Sequence, residues 1–170
     1  MSAGRRFLLI RGVLHELRGR LRRRGAETQS TRGAVKEVSC GMSLAHLTLA
    51  TRDVEKTASF LEQTLGYVRD PVPGNVPRES VWLNIGRGQQ VHLVYVEGFD
   101  VSPFEGEFGR HVAVYYPRPQ LEGLKLRLQQ HGAELFEPLR ATPFERMFFR
   151  EPVNGYVFEV IDQDRSGQEP

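Results

Sequence analysis

The chain has 170 residues, 39% hydrophobic and 26% charged, with a net charge of +2, a composition that fits one globular domain with room for a substantial core. No apolar run approaches the ~18 residues of a membrane-spanning helix, and the single cysteine, Cys40, excludes an internal disulfide framework and a cysteine-rich zinc site and suits a reducing compartment. Residues 1–41 carry ten Lys/Arg against three Glu, a net of +7, so the remainder is at −5, and a mildly acidic body does not suit a nucleic-acid-binding surface.

Within the arm, residues 1–41, Ile10, Leu14, Leu17 and Leu21 follow a helical stripe among arginines, and "GAETQSTRG" reads as a flexible linker. The plainest reading is an appendage without function in the folded domain. An Arg-rich, acid-poor start also has the composition of an organelle transit peptide, a membrane-surface helix or a nucleic-acid arm. The expected location is cytoplasmic, or an organelle matrix if the arm is a transit peptide. Patterning begins at Met42, so the expected domain is 42–163, followed by a disordered tail over 164–170.

The elements then follow in order. "LAHLTLA" (44–50) predicts a strand; Asp53 caps a helix with Val54, Thr57, Ala58, Leu61 and Leu65 on one face, and Gly66 ends it. "GYVRDP" leads outward and "PVPGNVP" is a loop. "SVWLNIG" and "QQVHLVYVEG" predict further strands. The second half repeats the order. "RHVAVYY" predicts a strand, Pro119 opens a helix with Leu121, Leu124 and Leu128 inward, Gly132 ends it, and "AELFEP", "ERMFFREP" and "GYVFEVID" predict three strands. Each half is β-α-β-β-β.

The spacing supports an internal duplication. Twenty positions separate His46 from Gly66, and 21 separate His111 from Gly132; 46 separate His46 from His92, and 48 separate His111 from Glu159. His46 thus answers to His111, and His92 to Glu159. Strand alternation puts each on one face of its strand, so a pseudo-twofold packing of the halves would let all four converge. Imidazoles with a carboxylate suit one divalent ion among Zn, Ni, Fe, Mn and Co, and two His with one carboxylate is a facial-triad set. Each residue also has a plainer reading: His46 as a core histidine, His111 as a polar strand entry, His92 as part of a polar strand with Gln89 and Gln90. Glu159, in an otherwise apolar strand, has one as the partner of Arg146 or Arg150. His131 reads as a helix C-terminal residue and His15 lies in the arm. "GRGQQ" lacks the following helix of a phosphate loop, no nucleophile elbow is present, and Cys40 lies in the linker.

The stretches "HLTLATRDVEKTASFLEQTLGY", "QQVHLVYV", "HVAVYY…LKLRLQQHGAEL" and "RMFFREPVNGYVFEV" resemble the vicinal oxygen chelate superfamily: glyoxalase I, methylmalonyl-CoA epimerase, fosfomycin-resistance transferases, extradiol dioxygenases and bleomycin-resistance proteins. The resemblance spans residues 44–162. It implies an α+β fold of two paired β-α-β-β-β modules forming a glyoxalase-like half-barrel cleft. It also implies a metal held by His46, His111 and Glu159, with His92 offered from the first module's last strand. Isomerases of the family often have Glu or Gln where this chain has His92, and "EPVNGYVFE" runs one residue longer before its glutamate than the family's usual ending. The expected activity is that of a metal-dependent lyase or isomerase resembling glyoxalase I, with Glu159 as ligand and proton-transfer partner. An Fe(II) extradiol dioxygenase, a thiol transferase and a metal-free small-molecule binding or resistance protein are the alternatives. The expected partners are a small-molecule substrate and a second copy in a homodimer, with no nucleic acid and no membrane for the folded domain; the cleft forms within one chain or across two. Trp82, Tyr95, Tyr115 and Phe149 are candidate cleft aromatics. The loops "PVPGNVPRES" and "EGFDVSPFEGEFG" carry no diagnostic pattern.

Overall fold

The chain divides into Met1–Gly41 and Met42–Pro170, and the computed structural model describes residues 43–164. The expectations for the arm, and for the tail beyond its first residue, lie outside the described residues. Among the described residues, no helix is long and apolar enough to cross a membrane.

The first half is β1 (His46–Thr51), α1 (Val54–Leu65), β2 (Val68–Asp70), β3 (Ser80–Gly86) and β4 (Gln89–Tyr95). The second is β5 (Val112–Tyr116), α2 (Leu121–Gln130), β6 (Glu134–Phe136), β7 (Arg146–Arg150) and β8 (Val157–Asp162). Each half closes into its own four-stranded sheet, β1-β4-β3-β2 and β5-β8-β7-β6. In both, the first and last strands run parallel and the other pairs antiparallel. The duplicated α+β architecture expected from the sequence is therefore present.

Local chemistry accounts for the helix ends. Asp53 Oδ1 accepts from the Lys56 amide at 2.9 Å, satisfying one of the free donors of the first turn. Gly66 ends α1 in the left-handed region at φ 76°, where a side chain would be strained. The second helix begins differently from expectation. Pro119 sits in a 3-10 turn, Arg118–Gln120, and α2 proper starts at Leu121. Proline suits such a first turn because it has no amide to donate there.

Strand alternation sorts the side chains into two faces. Leu49, Val81, Leu83, Val91 and Leu93 pack against Val54, Ala58 and Leu61 of α1, and Met147, Phe149, Phe158 and Val160 pack with Leu121, Leu124 and Leu128 of α2, all in one core. Phe149 links the halves, stacked on Phe158 at 5.1 Å and tilted against Phe60 at 6.1 Å. Burial of each such side chain contributes about 1.5–3 kcal/mol. Polar contacts add to this join. Asn154 Oδ1 accepts from the Arg52 amide and from Thr51 Oγ1, both at 3.0 Å, and the Tyr156 hydroxyl donates to the Ala50 carbonyl at 2.9 Å. With helices and core on one side, each sheet keeps an opposite face on which the candidate residues stand.

Candidate metal centre

On the first sheet that open face carries His46 and Thr48 from β1, Trp82 and Asn84 from β3, and Gln90 and His92 from β4. Trp82 lies directly opposite His92 across the antiparallel pair, and His46 lies opposite Gln90 across the parallel pair. The three rings form a stack. Trp82 and His92 lie 4.0 Å apart and 4° from parallel, and His92 and His46 lie 4.2 Å apart and 11° from parallel. His92 is only 9% exposed, whereas His46, at the sheet edge, is exposed.

A hydrogen-bond relay determines the His92 tautomer. Asp70 Oδ2 lies 2.7 Å from Gln90 Nε2, and a carboxylate only accepts, so the amide nitrogen of Gln90 faces Asp70. The Gln90 Oε1 therefore faces His92 Nε2 at 3.0 Å, and His92 Nε2 carries the proton it donates. Burial, with a smaller contribution from the charge of His46, pushes the His92 imidazole below its usual range.

On the second sheet His111, one residue before β5, stands beside Glu159 in the middle of β8. Glu159 pairs in register with Ala113 and Phe148 and is 7% exposed. Its Oε2 lies 3.3 Å from His111 Nε2, and its Oε1 accepts from Arg146 Nη1 at 2.8 Å. Of the two arginines weighed from the sequence, Arg146 is the partner; Arg150 instead donates to the Gly155 carbonyl at 3.0 Å. Arg146 is itself sunk into the sheet, its side chain 3% exposed, and its second terminal nitrogen donates to Glu107 and to the Arg140 carbonyl. Its Nε is buried without a hydrogen-bond partner. Phe148 packs under this cluster, edge-on to His111 at 5.6 Å and beneath the Arg146 guanidinium at 5.4 Å.

The loop before β5 supplies what the strands do not. The Arg110 amide donates to the Phe104 carbonyl at 2.8 Å and the Gly109 amide to the Gly106 carbonyl at 3.1 Å. The turn is so tight that a Cβ at Gly109 would lie 1.8 Å from the Phe104 carbonyl oxygen. This brings the Gly106 carbonyl to 3.2 Å from His111 Nδ1 and the Glu107 carboxylate to Arg146. Burial opposes ionisation of Glu107, but the Leu139 amide, the Arg146 guanidinium and the Arg140 amide outweigh it and hold its carboxyl below the usual carboxylate range. For Arg146 burial likewise opposes the charge, and the bonds to Glu159 and Glu107 outweigh it.

The fit of a divalent ion can be tested on His111 and Glu159. A carbonyl only accepts, so His111 Nδ1 carries a proton, and in the neutral imidazole Nε2 holds a lone pair facing a carboxylate oxygen. Two lone pairs at 3.3 Å repel unless a proton or a cation lies between them. The separation suits two ligands each about 2.1 Å from one ion, and orientation of a histidine through its other nitrogen is usual for metal ligands. The donor set fits.

The four expected residues are thus brought together as two pairs, His46 with His92 and His111 with Glu159. Among the described residues no group of three or more His, Cys, Asp or Glu could hold a metal ion within one chain. Of the aromatic candidates, Trp82 and Tyr115 are on the open faces. Phe149 is not: it is fully buried in the core, because it sits one position out of phase with Phe148. Tyr95 shares the register side of Leu93 and also lies off the open face. The parts of the candidate site that the sequence reading does not include are Gly106, Glu107 and the Asp70–Gln90 relay. The signal available was "EGEFG", two acidic residues around a glycine just before His111, but nothing in spacing ties Glu107 to Arg146, 39 residues on.

Comparison with known proteins agrees with this architecture. No curated protein matches the chain in sequence. FosX, a fosfomycin resistance protein from Listeria monocytogenes, superposes with a TM-score of 0.59 at 18% identity, covering 75% of this chain and 98% of that one. A possible glyoxalase from Bacillus cereus gives 0.56 at 21% identity, covering 71% and 99%. The FosX of Mesorhizobium loti gives 0.56 at 17%, covering 70% and 90%. Residues 43–160 match the family model of the Glyoxalase/Bleomycin resistance protein/Dioxygenase superfamily, and the chain belongs to that superfamily.

Proposed function

We propose that the chain is a divalent-metal-dependent enzyme acting on a small oxygen-bearing substrate, a lyase or isomerase resembling glyoxalase I, with its centre completed by two copies of the chain. His111 and Glu159 of one copy and His46 of another form the ligand set. One observation carries this reading: His111 Nε2 faces Glu159 Oε2 at 3.3 Å while its Nδ1 is engaged by the Gly106 carbonyl, an arrangement in which a cation can sit between the two. The pairing of candidates by sheet, with no complete group among the described residues of one chain, supports the second copy. A FosX of this fold was crystallised with Mn(II) and 1S,2S-dihydroxypropylphosphonic acid, a ligand with neighbouring oxygens.

When bound, the ion supplies Lewis-acid polarisation of substrate oxygens. The chain's own residues prepare for it. Arg146 occupies one oxygen of Glu159 and leaves the other to project beside His111, and Gly106 keeps the His111 lone pair turned the same way. A second reading, a metal-free binding protein, is favoured by the Arg146–Glu159 ion pair alone, since the carboxylate already has a counter-charge.

The full-length protein, stripped of metal and titrated with Mn(II), Zn(II), Ni(II) and Fe(II), is expected to bind an ion stoichiometrically. Neither His46→Ala nor His111→Ala alone should do so, while an equal mixture of the two, unfolded and refolded together, should recover part of the binding. A wild-type protein that takes up no ion would sink the metalloenzyme and leave the binding protein. Binding without recovery in the mixture would restrict the centre to one chain.

A further inference from the structure

His92 stands where the duplication places a counterpart to Glu159, yet its surroundings differ from those of a ligand. Its Nε2–H is committed to Gln90 Oε1, whose orientation is set in turn by Asp70. Its ring is sandwiched between Trp82 and His46, nearly parallel to both. An ion bound to an imidazole lies in the plane of that ring, about 2.1 Å from the nitrogen. Stacked rings keep their planes about 3.5 Å apart. An ion held in the plane of His46 therefore stands a full ring spacing out of the plane of His92, away from any lone pair on it. The two stacked histidines cannot both ligate one ion.

We infer that His92 is a positioning residue rather than a metal ligand: with Trp82 behind it, it is the platform that orients the exposed His46 imidazole. The two histidines expected to ligate are thus oriented by different means. A backbone carbonyl turns His111, and a stacked ring turns His46. The Asp70–Gln90–His92 relay keeps the platform from rotating, since the ring cannot flip without losing its bond to Gln90. This inference rests on the reading that the chain holds a divalent ion, but its geometric half does not need the ion.

The geometric half is tested on metal-free, full-length protein by nitrogen-15 NMR of the imidazoles. His92 is expected as the Nε2–H tautomer, and His92→Ala is expected to shift the His46 ring resonances while His92→Phe, which keeps a flat ring, largely retains them. A His92 protonated at Nδ1 instead, or His46 resonances indifferent to His92→Ala, would overturn the platform. The ligand half is tested with Mn(II) and pulsed EPR, which counts coordinated imidazole nitrogens. His92→Phe should keep the wild-type count and an affinity within about threefold, and His92→Ala should keep the count but bind roughly 10–100-fold more weakly, as for loss of an outer support. His46→Ala, which no longer binds stoichiometrically, should show one nitrogen fewer when loaded with excess Mn(II). Loss of a nitrogen in His92→Phe would make His92 a ligand and overturn the inference. Failure of the wild type to bind Mn(II), Zn(II), Ni(II) or Fe(II) would instead defeat the metalloenzyme reading, with the tautomer and ring-shift results still deciding the platform.

Discussion

The two open sheet faces have the same strand order and the same register, yet they hold their candidate residues by opposite physics. The first face is a stack of flat rings, Trp82, His92 and His46, supported by the Gln90 amide and its single carboxylate partner, Asp70. The second is a buried charge cluster, Glu107–Arg146–Glu159, with His111 at its rim. Duplication repeated the backbone positions, and the side chains diverged around them. The first face can lose a member and keep its neighbours neutral. The second cannot, because each of its charges depends on another being present.

That contrast is sharpest for Arg146. Arg146→Met should destabilise the protein by about 3–5 kcal/mol, because it strands two carboxylates in a sheet; denaturant melts measure it. Arg146→Met combined with Glu107→Gln should recover part of that loss. A loss below about 1 kcal/mol for the single variant would mean that water already reaches the cluster. Glu159→Gln comes next. It removes the proposed anionic ligand and should weaken metal binding by more than the roughly 100-fold typical of an outer-shell residue, read by calorimetric titration. Equal weakening in Gln90→Leu would erase the distinction between the faces.

A pH series separates them further. The folded-state pKa of Glu107 lies below its ordinary value of 4.5, so the unfolded chain binds that proton more tightly. Its stabilising contribution is complete above about pH 4.5 and is lost as pH falls through the lowered value. Glu107→Gln should flatten the acid limb of a stability–pH curve, while Trp82→Leu should leave its shape unchanged. The smallest effect is expected from Gln90→Leu, which deletes a relay of neutral or singly charged bonds; about 1–2 kcal/mol in thermal or denaturant melts is expected.

Much of this is legible in the sequence. Asp53, Gly66 and the Leu121–Leu124–Leu128 spacing mark the helices because capping and the 3.6-residue period act over a few neighbouring positions. Alternation along "GYVFEVI" separates Glu159 from Phe158 and Val160 for the same reason. The misplacement of Phe149 shows the limit: in "RMFFREP" two adjacent phenylalanines must face opposite sides, and which one meets the core depends on the sheet's orientation. The loop containing Gly106, Glu107 and Gly109 was opaque because its role comes from one close approach, Gly109 to Phe104, and one distant pairing, Glu107 to Arg146.

The sequence by itself determined the duplicated order of elements and placed His46, His92, His111 and Glu159 at matching positions on one face of their strands, since both follow from short-range periodicity. Only the tertiary structure decided which of them meet. Whether two histidines stack or converge, and whether a carboxylate faces an arginine or an imidazole lone pair, depends on strands brought together from residues far apart in the chain. There a rotation of one ring changes the chemistry without changing the pattern that encoded it.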